Sequence, residues 1–365
     1  MSNINEKKQR VSERYHEYLF IIYHFGNKVI LMKQLFRYAR ILGLAQSYSV
    51  FYGQIKELAE AEIIRREPFT AYGKKTQLHM LTLKKFGIRF IEGKGSSQSV
   101  AAVPKSYTNE RILVSIFKNC YILNKLIPRI QQKCPNITVE TVIEFINKDH
   151  SNILESKNRG VVFLHNILDC PTLHPYLNSD EINYEINRLT DIKQKRLMGL
   201  VGGASPSECK DQLSMSPKLT KLDSYSIDSL INAHVYIAQV KIVQNKPLIT
   251  LLLFDVYNKQ AIYRMVTQIA CAFHMFGRYF NDFSLGVGIV GIDEVACRIL
   301  ESEAEAEAVV SHFFTKEIRG SRLSRILADW SVSSIEQELI QIRFTHYDIT
   351  NQYLEGIKHS NLIRK

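Results

Sequence analysis

The stretch SYSVFYGQIKELAEAEIIRREPFTAYGKKTQLHMLTL, residues 47–83, changes its period halfway along. Its first half opens on Ser47, a residue type that caps helices, and then sets Phe51, Ile55, Leu58 and Ala59 on one apolar stripe at helical spacing. Its second half is two β-like runs, IIRREPF at 63–69 and TQLHMLTL at 76–83, joined by the polar, glycine-containing tip TAYGKK. A helix running into a hairpin is predicted. With the apolar stripe turned inward, Ser47, Tyr48, Ser49, Tyr52 and Lys56 are left on the outer face, and Arg65, Arg66, Tyr72, Lys74 and Lys75 gather along the hairpin.

Two helices are expected before it. Tyr15, Leu19, Ile22 and Tyr23 recur at helical spacing between Ser12, a possible cap, and Gly26, a stop; after the apolar step VIL at 29–31, a second amphipathic stretch runs from Met32 to Leu42 and closes at Gly43. Three helices followed by a two-stranded hairpin resemble the winged helix-turn-helix family over about residues 10–95, and LHMLTLKKFGIRFI resembles its last wing strand entering a closing helix. The resemblance implies that the third helix enters the major groove of double-stranded DNA and that the hairpin lies over the backbone or minor groove. Ser47, Tyr48, Ser49, Tyr52 and Lys56 would then face the DNA, and Arg65, Arg66, Tyr72, Lys74 and Lys75 would contact phosphates. The same residues have plainer uses: Tyr52 can pack under the wing, Arg65 can pair with Glu62, and winged helices also bind proteins.

Charge points the same way. The chain of 365 residues carries a formal net charge of +11, and its first 95 residues hold 17 Lys and Arg against 8 Asp and Glu, a surplus of nine. A basic terminal module on a nearly neutral body suits contact with phosphates, although a solvated lysine-rich surface has the same composition. An anionic membrane would attract that charge too, but no basic amphipathic helix, lipidation motif or apolar run long enough to span is evident. A cytoplasmic protein is expected, its six scattered cysteines reduced and mostly buried.

The Gly- and Ser-rich stretch GKGSSQSVAAVPKS at 93–106 reads as a boundary, with the linker proper at 96–106. Residues 1–95 form the basic module, 107–225 a helical region, and 226–365 an α/β body, so the fold class is α+β. In the helical region His165, Cys170 and His174 lie close together, but their spacing fits no standard zinc pattern, and a core histidine and a loop histidine are expected. VGGASPSECKDQLSMSPK lacks the ending of a phosphate-binding loop.

In the body, HVYIAQVKIV and PLITLLLFDVYN read as successive strands around the turn QNK, followed by a helix, the strand FSLGVGIVGI, an acidic helix, and a helical tail from Ser334 to Lys365. The order resembles the nuclease-like core of the replication-relaxation family of mobile-element proteins, in which a winged helix precedes such a core. That resemblance implies a role in replication or in a conjugative relaxosome. It also implies acids at the strand end, where this chain keeps Asp255 and has Tyr257 in place of a second. A restriction-nuclease core further needs an acid two residues before a lysine to hold Mg²⁺; here Gln239-Val240-Lys241 has Gln in that position, with only Asp223 or Asp228 upstream. The expectation is a non-catalytic core without metal or cofactor that oligomerises, as a homodimer or within a larger assembly. GVGIVG at 286–291 fits the dinucleotide fingerprint by letter, but it lies inside an apolar run and reads as a buried strand. A transcription regulator and a metal-dependent endonuclease are the alternative functions.

Overall fold

A computed structural model describes residues 3–71, 74–96, 100–103, 109–154, 158–201, 225–256, 262–306 and 339–353. Helices and strands are mixed along the chain, as an α+β reading requires. The first part runs α1 (Asn3–Arg14), α2 (His16–His24), β1 (Val29–Leu31), α3 (Met32–Ile41), α4 (Tyr48–Glu60), β2 (Ile64–Ala71), β3 (Lys74–Leu83) and α5 (Lys85–Ile91). Its small sheet has the order β1-β3-β2 and is antiparallel throughout.

The first predicted helix starts too late and hides a break. Helix already forms at Asn3, where Lys8 pairs with Glu62 at 3.1 Å and ties the charged opening turns to the hairpin base. Ser12 lies fully buried inside α1 and caps nothing, and Tyr15, at φ −116° and ψ 29°, divides α1 from α2. Gly26 does mark the end: a Cβ there would stand 2.5 Å from the Val29 carbonyl oxygen and 2.8 Å from that of Ile22, so no other residue fits the turn.

Helix α6 (Asn109–Tyr121) leads through a π-helical turn, Ile122–Leu126, into α7 (Ile127–Gln131). Pro128 explains the wide turn, because it cannot donate to the carbonyl four residues back and its ring crowds that carbonyl. Next come α8 (Val139–Lys148), capped by Thr138, then α9 (Arg159–Leu168) and α10 (Ser179–Val201). His165 is exposed on α9 and is not a core histidine, since the buried stripe of that helix is taken by Phe163, Leu164 and Ile167. His174 is exposed and opens a 3-10 turn, His174–Tyr176, rather than lying in a loop, its Nε2 against the Leu168 carbonyl oxygen at 2.5 Å.

The last part is a four-stranded sheet of order β4-β5-β6-β7, made of β4 (Val235–Val243), β5 (Lys246–Phe254), β6 (Ser284–Gly291) and β7 (Ile340–His346). β4 and β5 form an antiparallel hairpin whose two-residue turn, Gln244 and Asn245, has φ of 51° and 59°, matching the twist of the strands. β5, β6 and β7 run parallel. β7 replaces the expected helical tail. In IQIRFTH, Ile340, Ile342 and Phe344 alternate onto the apolar face of the sheet, and the chain turns helical only over Ile349–Tyr353. Residues 354–365, with the basic end of that tail, lie outside the described residues.

One face of this sheet, with Ile237, Leu251, Leu253, Leu285 and Val287, packs against α9, α10 and the helix Ile262–Tyr279. On the other face Tyr236, Leu252, Phe254 and Val290 join the core of the first part, which continues through Val100 and Val103 in the linker stretch. At that junction the Phe117 ring of α6 stacks on Phe254 at 5.2 Å, and Tyr236 and Tyr347 lie against Phe254 at 5.3 and 6.4 Å. Cys120, Cys271 and Cys297 are buried free thiols, and burial pushes the Cys120 thiol up to about 12.

Phe117→Ala should cost about 3–5 kcal/mol, and the loss should appear in one urea transition followed equally by probes in the first part and in the sheet. Separate transitions would show that the stacked rings do not join the two cores.

His79, His150 and His234 all have pKa values lowered below the ordinary 6.5, in each case chiefly because burial penalises the charged ring. The unfolded chain therefore binds more protons than the folded one as pH falls through that range. The stability held above the unfolded pKa is lost on acidification, so the melting temperature should drop between about pH 7.5 and pH 5 and recover on return. A flat profile over that range would contradict the three shifts.

Candidate nucleic-acid interface

Helix α4 is held in place at its N-terminus and on two of its sides. Ser47 caps it, its Oγ accepting from the Val50 N–H at 3.3 Å. Phe51, Ile55 and Leu58 are buried in the core. On a second side Tyr18 donates to Gln54 at 2.7 Å, Tyr15 donates to Glu57 at 2.6 Å, and Arg14 pairs with Glu57 at 2.9 Å. These contacts lock α4 against α1 and α2 and leave one face in solvent, with Tyr48, Ser49, Tyr52, Gly53, Lys56 and Glu60 exposed.

Along that face the Tyr48 ring, 51% exposed, stands edge-on to Phe36 at 5.2 Å, and Tyr52 follows one turn later. The Tyr52 hydroxyl accepts from Arg66 Nη1 at 2.8 Å, while the guanidinium lies 5.0 Å from the ring centre. Arg66 belongs to β2, so this contact joins the exposed face of the helix to the hairpin. Lys56 is exposed and lies 3.7 Å from Glu60, an i,i+4 pair in water that constrains it little.

Arg65 is not brought to this surface. It alternates to the opposite side of β2 and pairs with Glu67 at 2.8 Å, half-buried, rather than with Glu62, which is engaged by Lys8 and Lys84. Lys74 and Lys75 open β3 opposite Ala71 and Thr70; their side chains, and Tyr72 altogether, lie outside the described residues.

Two exposed residues of the helix escape a reading by apolar stripe. Val50 is 51% exposed, and at Gly53 an added Cβ would meet no atom within 4 Å. The signal for Gly53 was its presence in the middle of a helix, where glycine is about 1 kcal/mol worse than alanine. Its lack of a side chain leaves a smooth step between Tyr52 and Lys56 that another backbone can approach closely.

The strand-end acid and the Gln-Val-Lys run do not converge. Lys241 is exposed and pairs with Leu248 in the β4–β5 register, whereas buried Asp255 lies seven residues further along β5, roughly 23 Å away at strand rise. Gln239 is occupied by Thr250 and Arg129, and Asp228 accepts from the Gly160 N–H at 3.1 Å. Asp223 and Tyr257 lie outside the described residues. One ion cannot bridge groups so far apart, so these residues do not form the metal site of a restriction-type nuclease. The glycines of GVGIVG sit in β6: Gly288 packs under Leu252, and a Cβ on Gly291 would come within 3.1 Å of the Cys297 backbone nitrogen.

Among the described residues no helix is long and apolar enough to cross a membrane. Scans against family models, curated proteins and solved structures returned no match to this chain.

Gly53→Ala should raise stability by about 0.5–1 kcal/mol, since it improves helix propensity without a clash. Urea denaturation of the full chain measures it, and destabilisation would mean that the site is not open.

Proposed function

We propose that the chain binds double-stranded DNA, with residues 1–95 acting as a winged helix, α4 in the major groove and the β2–β3 hairpin as the wing. The observation that carries this reading is the exposed face of α4, where Tyr48, Ser49, Tyr52 and Lys56 are excluded from the core and Tyr52 holds Arg66 of the hairpin alongside them. Two flanks of the helix are spent on packing and its N-terminus on a cap, so the outer face is left for a partner. The surplus of nine positive charges in the first 95 residues supports a polyanionic one.

Lys56 and Arg66 offer charge, which places them on phosphates, whereas Ser49 and Tyr52 offer hydroxyls that suit base edges. The sheet of residues 226–365 then serves as a nuclease-like scaffold without metal chemistry, for assembly into a homodimer or a larger complex. The order of elements supports a place in a replication or conjugation assembly of a mobile element.

Fluorescence anisotropy of the full chain on short duplexes tests the interface. Lys56→Gln and Arg66→Gln should each weaken binding to all sequences alike and lower the slope of log K against log salt by about one. Ser49→Ala should shift sequence preference in a random-oligonucleotide selection, and Gly53→Ala should weaken binding while it stabilises the fold. Unchanged affinity and slope in the Lys56→Gln/Arg66→Gln double variant would sink the proposal. The selected sequence separates a replication or transfer origin from a promoter operator.

A further inference from the structure

Two large apolar side chains stand in water on the first turn of α4. Tyr48 and Val50 are both half exposed, and at about 100° per residue they flank Ser49 on either side of the helix. The Tyr48 ring rests edge-on against Phe36, whereas Val50 takes no part in the buried stripe of Phe51, Ile55 and Leu58. Local stability gives no reason for a valine there: a β-branched side chain loses rotamer freedom in a helix, and alanine or a straight polar chain serves better in water. The same turn holds no acidic residue, although the helix dipole favours one, so it carries no side-chain charge that would repel a polyanion.

In the major groove, bases are told apart by paired donors and acceptors and, for thymine, by the 5-methyl group. Helix α4 is poor in groups of the first kind. It contains no arginine and no asparagine. Its one glutamine, Gln54, is turned inward, accepting from Tyr18 at 2.7 Å and donating to the Leu44 carbonyl at 3.4 Å. Lys56 stands about 12 Å along the axis from Tyr48, and helices that enter the groove meet base edges with their first residues. What the leading turn presents is hydroxyl groups and apolar surface.

We infer, on the reading of α4 as the helix that enters the major groove, that it recognises thymine: Val50 and the Tyr48 ring cover 5-methyl groups on either side of Ser49, and the site is rich in A·T pairs. Gly53, one turn further on, lets the backbone come close enough for that first turn to seat deeply. Covering a methyl group takes apolar surface from water on both partners, and it gives Val50 the cover that the fold withholds. The surplus of nine positive charges in residues 1–95 makes the occupant of this apolar turn a nucleic acid and not an apolar protein face.

The full chain is used to select a duplex from random oligonucleotides, and its affinity for that duplex is read by fluorescence anisotropy. Thymine is then replaced by uracil one position at a time, which removes the methyl group and leaves every hydrogen-bonding edge intact. At one or more positions the affinity should fall about fourfold, the weight of one apolar carbon returned to water. Val50→Ala should keep the melting temperature of the wild type or exceed it, bind the thymine duplex more weakly, and lose the uracil effect at one of those positions. Val162→Ala, an exposed valine on α9, should keep every uracil effect. Full wild-type affinity with uracil at every position, a selected site without thymine, or a Val50→Ala protein that retains every uracil effect overturns the inference and leaves DNA binding in place. Absence of binding to any duplex removes the reading of α4 on which it rests, and the inference with it.

Discussion

Helix α6 carries a row of buried polar groups, and their hydrogen bonds fix how the two ends of the chain sit on each other. Ser115 donates to the Val29 carbonyl at 2.6 Å, Asn119 donates to the Phe25 carbonyl at 3.3 Å and accepts from the Tyr38 hydroxyl at 2.9 Å, and Gln34 donates to the Ile116 carbonyl at 3.1 Å. Apolar packing tolerates sliding, but a buried donor shifted off its acceptor costs about 1–3 kcal/mol. These four contacts therefore allow one register of α6 against β1 and α3. Phe117, on the same helix, stacks on Phe254 of the sheet, so a single helix sets both interfaces. The stretch from 93 to 106 reads in composition as a flexible tether, yet its Val100 and Val103 are buried, and the units it joins share a core.

Local signals were legible where they needed no distant partner. Ser47 before an apolar stripe predicts α4, and the structure shows that cap; paired β-like runs around a glycine-containing tip predict β2 and β3, and the register confirms them. The pair around Gln244 and Asn245 was legible for the same reason. β7 was not, because a parallel strand draws its ladder bonds from β6, and the seven residues of IQIRFTH announce no turn to a neighbour. The polar row on α6 was also hidden. Ser115 and Asn119, four residues apart, look like part of a solvated face until β1 covers them. At the candidate interface, the outer face of α4 followed from helical spacing, whereas the Tyr52–Arg66 contact and the inward turn of Arg65 depend on how the hairpin folds back, which no local pattern states.

One extra residue changes which side chains of β4 face the helices. A bulge between Ile237 and Gln239 shifts the register of β4 on β5, so that Val240 turns to the helix-covered face with Val235 and Ile237. The outer edge of β4 is closed at the same point: the Asn152 N–H and the Ser151 hydroxyl donate to the Ile237 carbonyl, and the Val240 N–H donates to Asp149. That closure spends backbone groups that an open edge would offer to another strand. Lys241 is left on the far half of the hairpin from Asp255, so the two side chains do not converge on one site.

Arg37 of α3 donates to Asn124 in the π-helical turn at 2.8 Å and to the Tyr353 hydroxyl at 3.1 Å, a contact between residues 316 positions apart. On the ribosome residue 37 emerges long before residue 353, by roughly 15–60 s at ordinary elongation rates. Throughout that interval α3 and α6 can dock, but the ring of Phe117 has no Phe254 to stack on until β5 has left the tunnel, and Arg37 lacks its last partner until Tyr353 has emerged. The nascent chain thus carries the Phe117 ring without its stacking partner for the 137 residues that separate it from Phe254. Emergence of Phe254 and then of Tyr353, rather than completion of the first helices, is the event that seals the core.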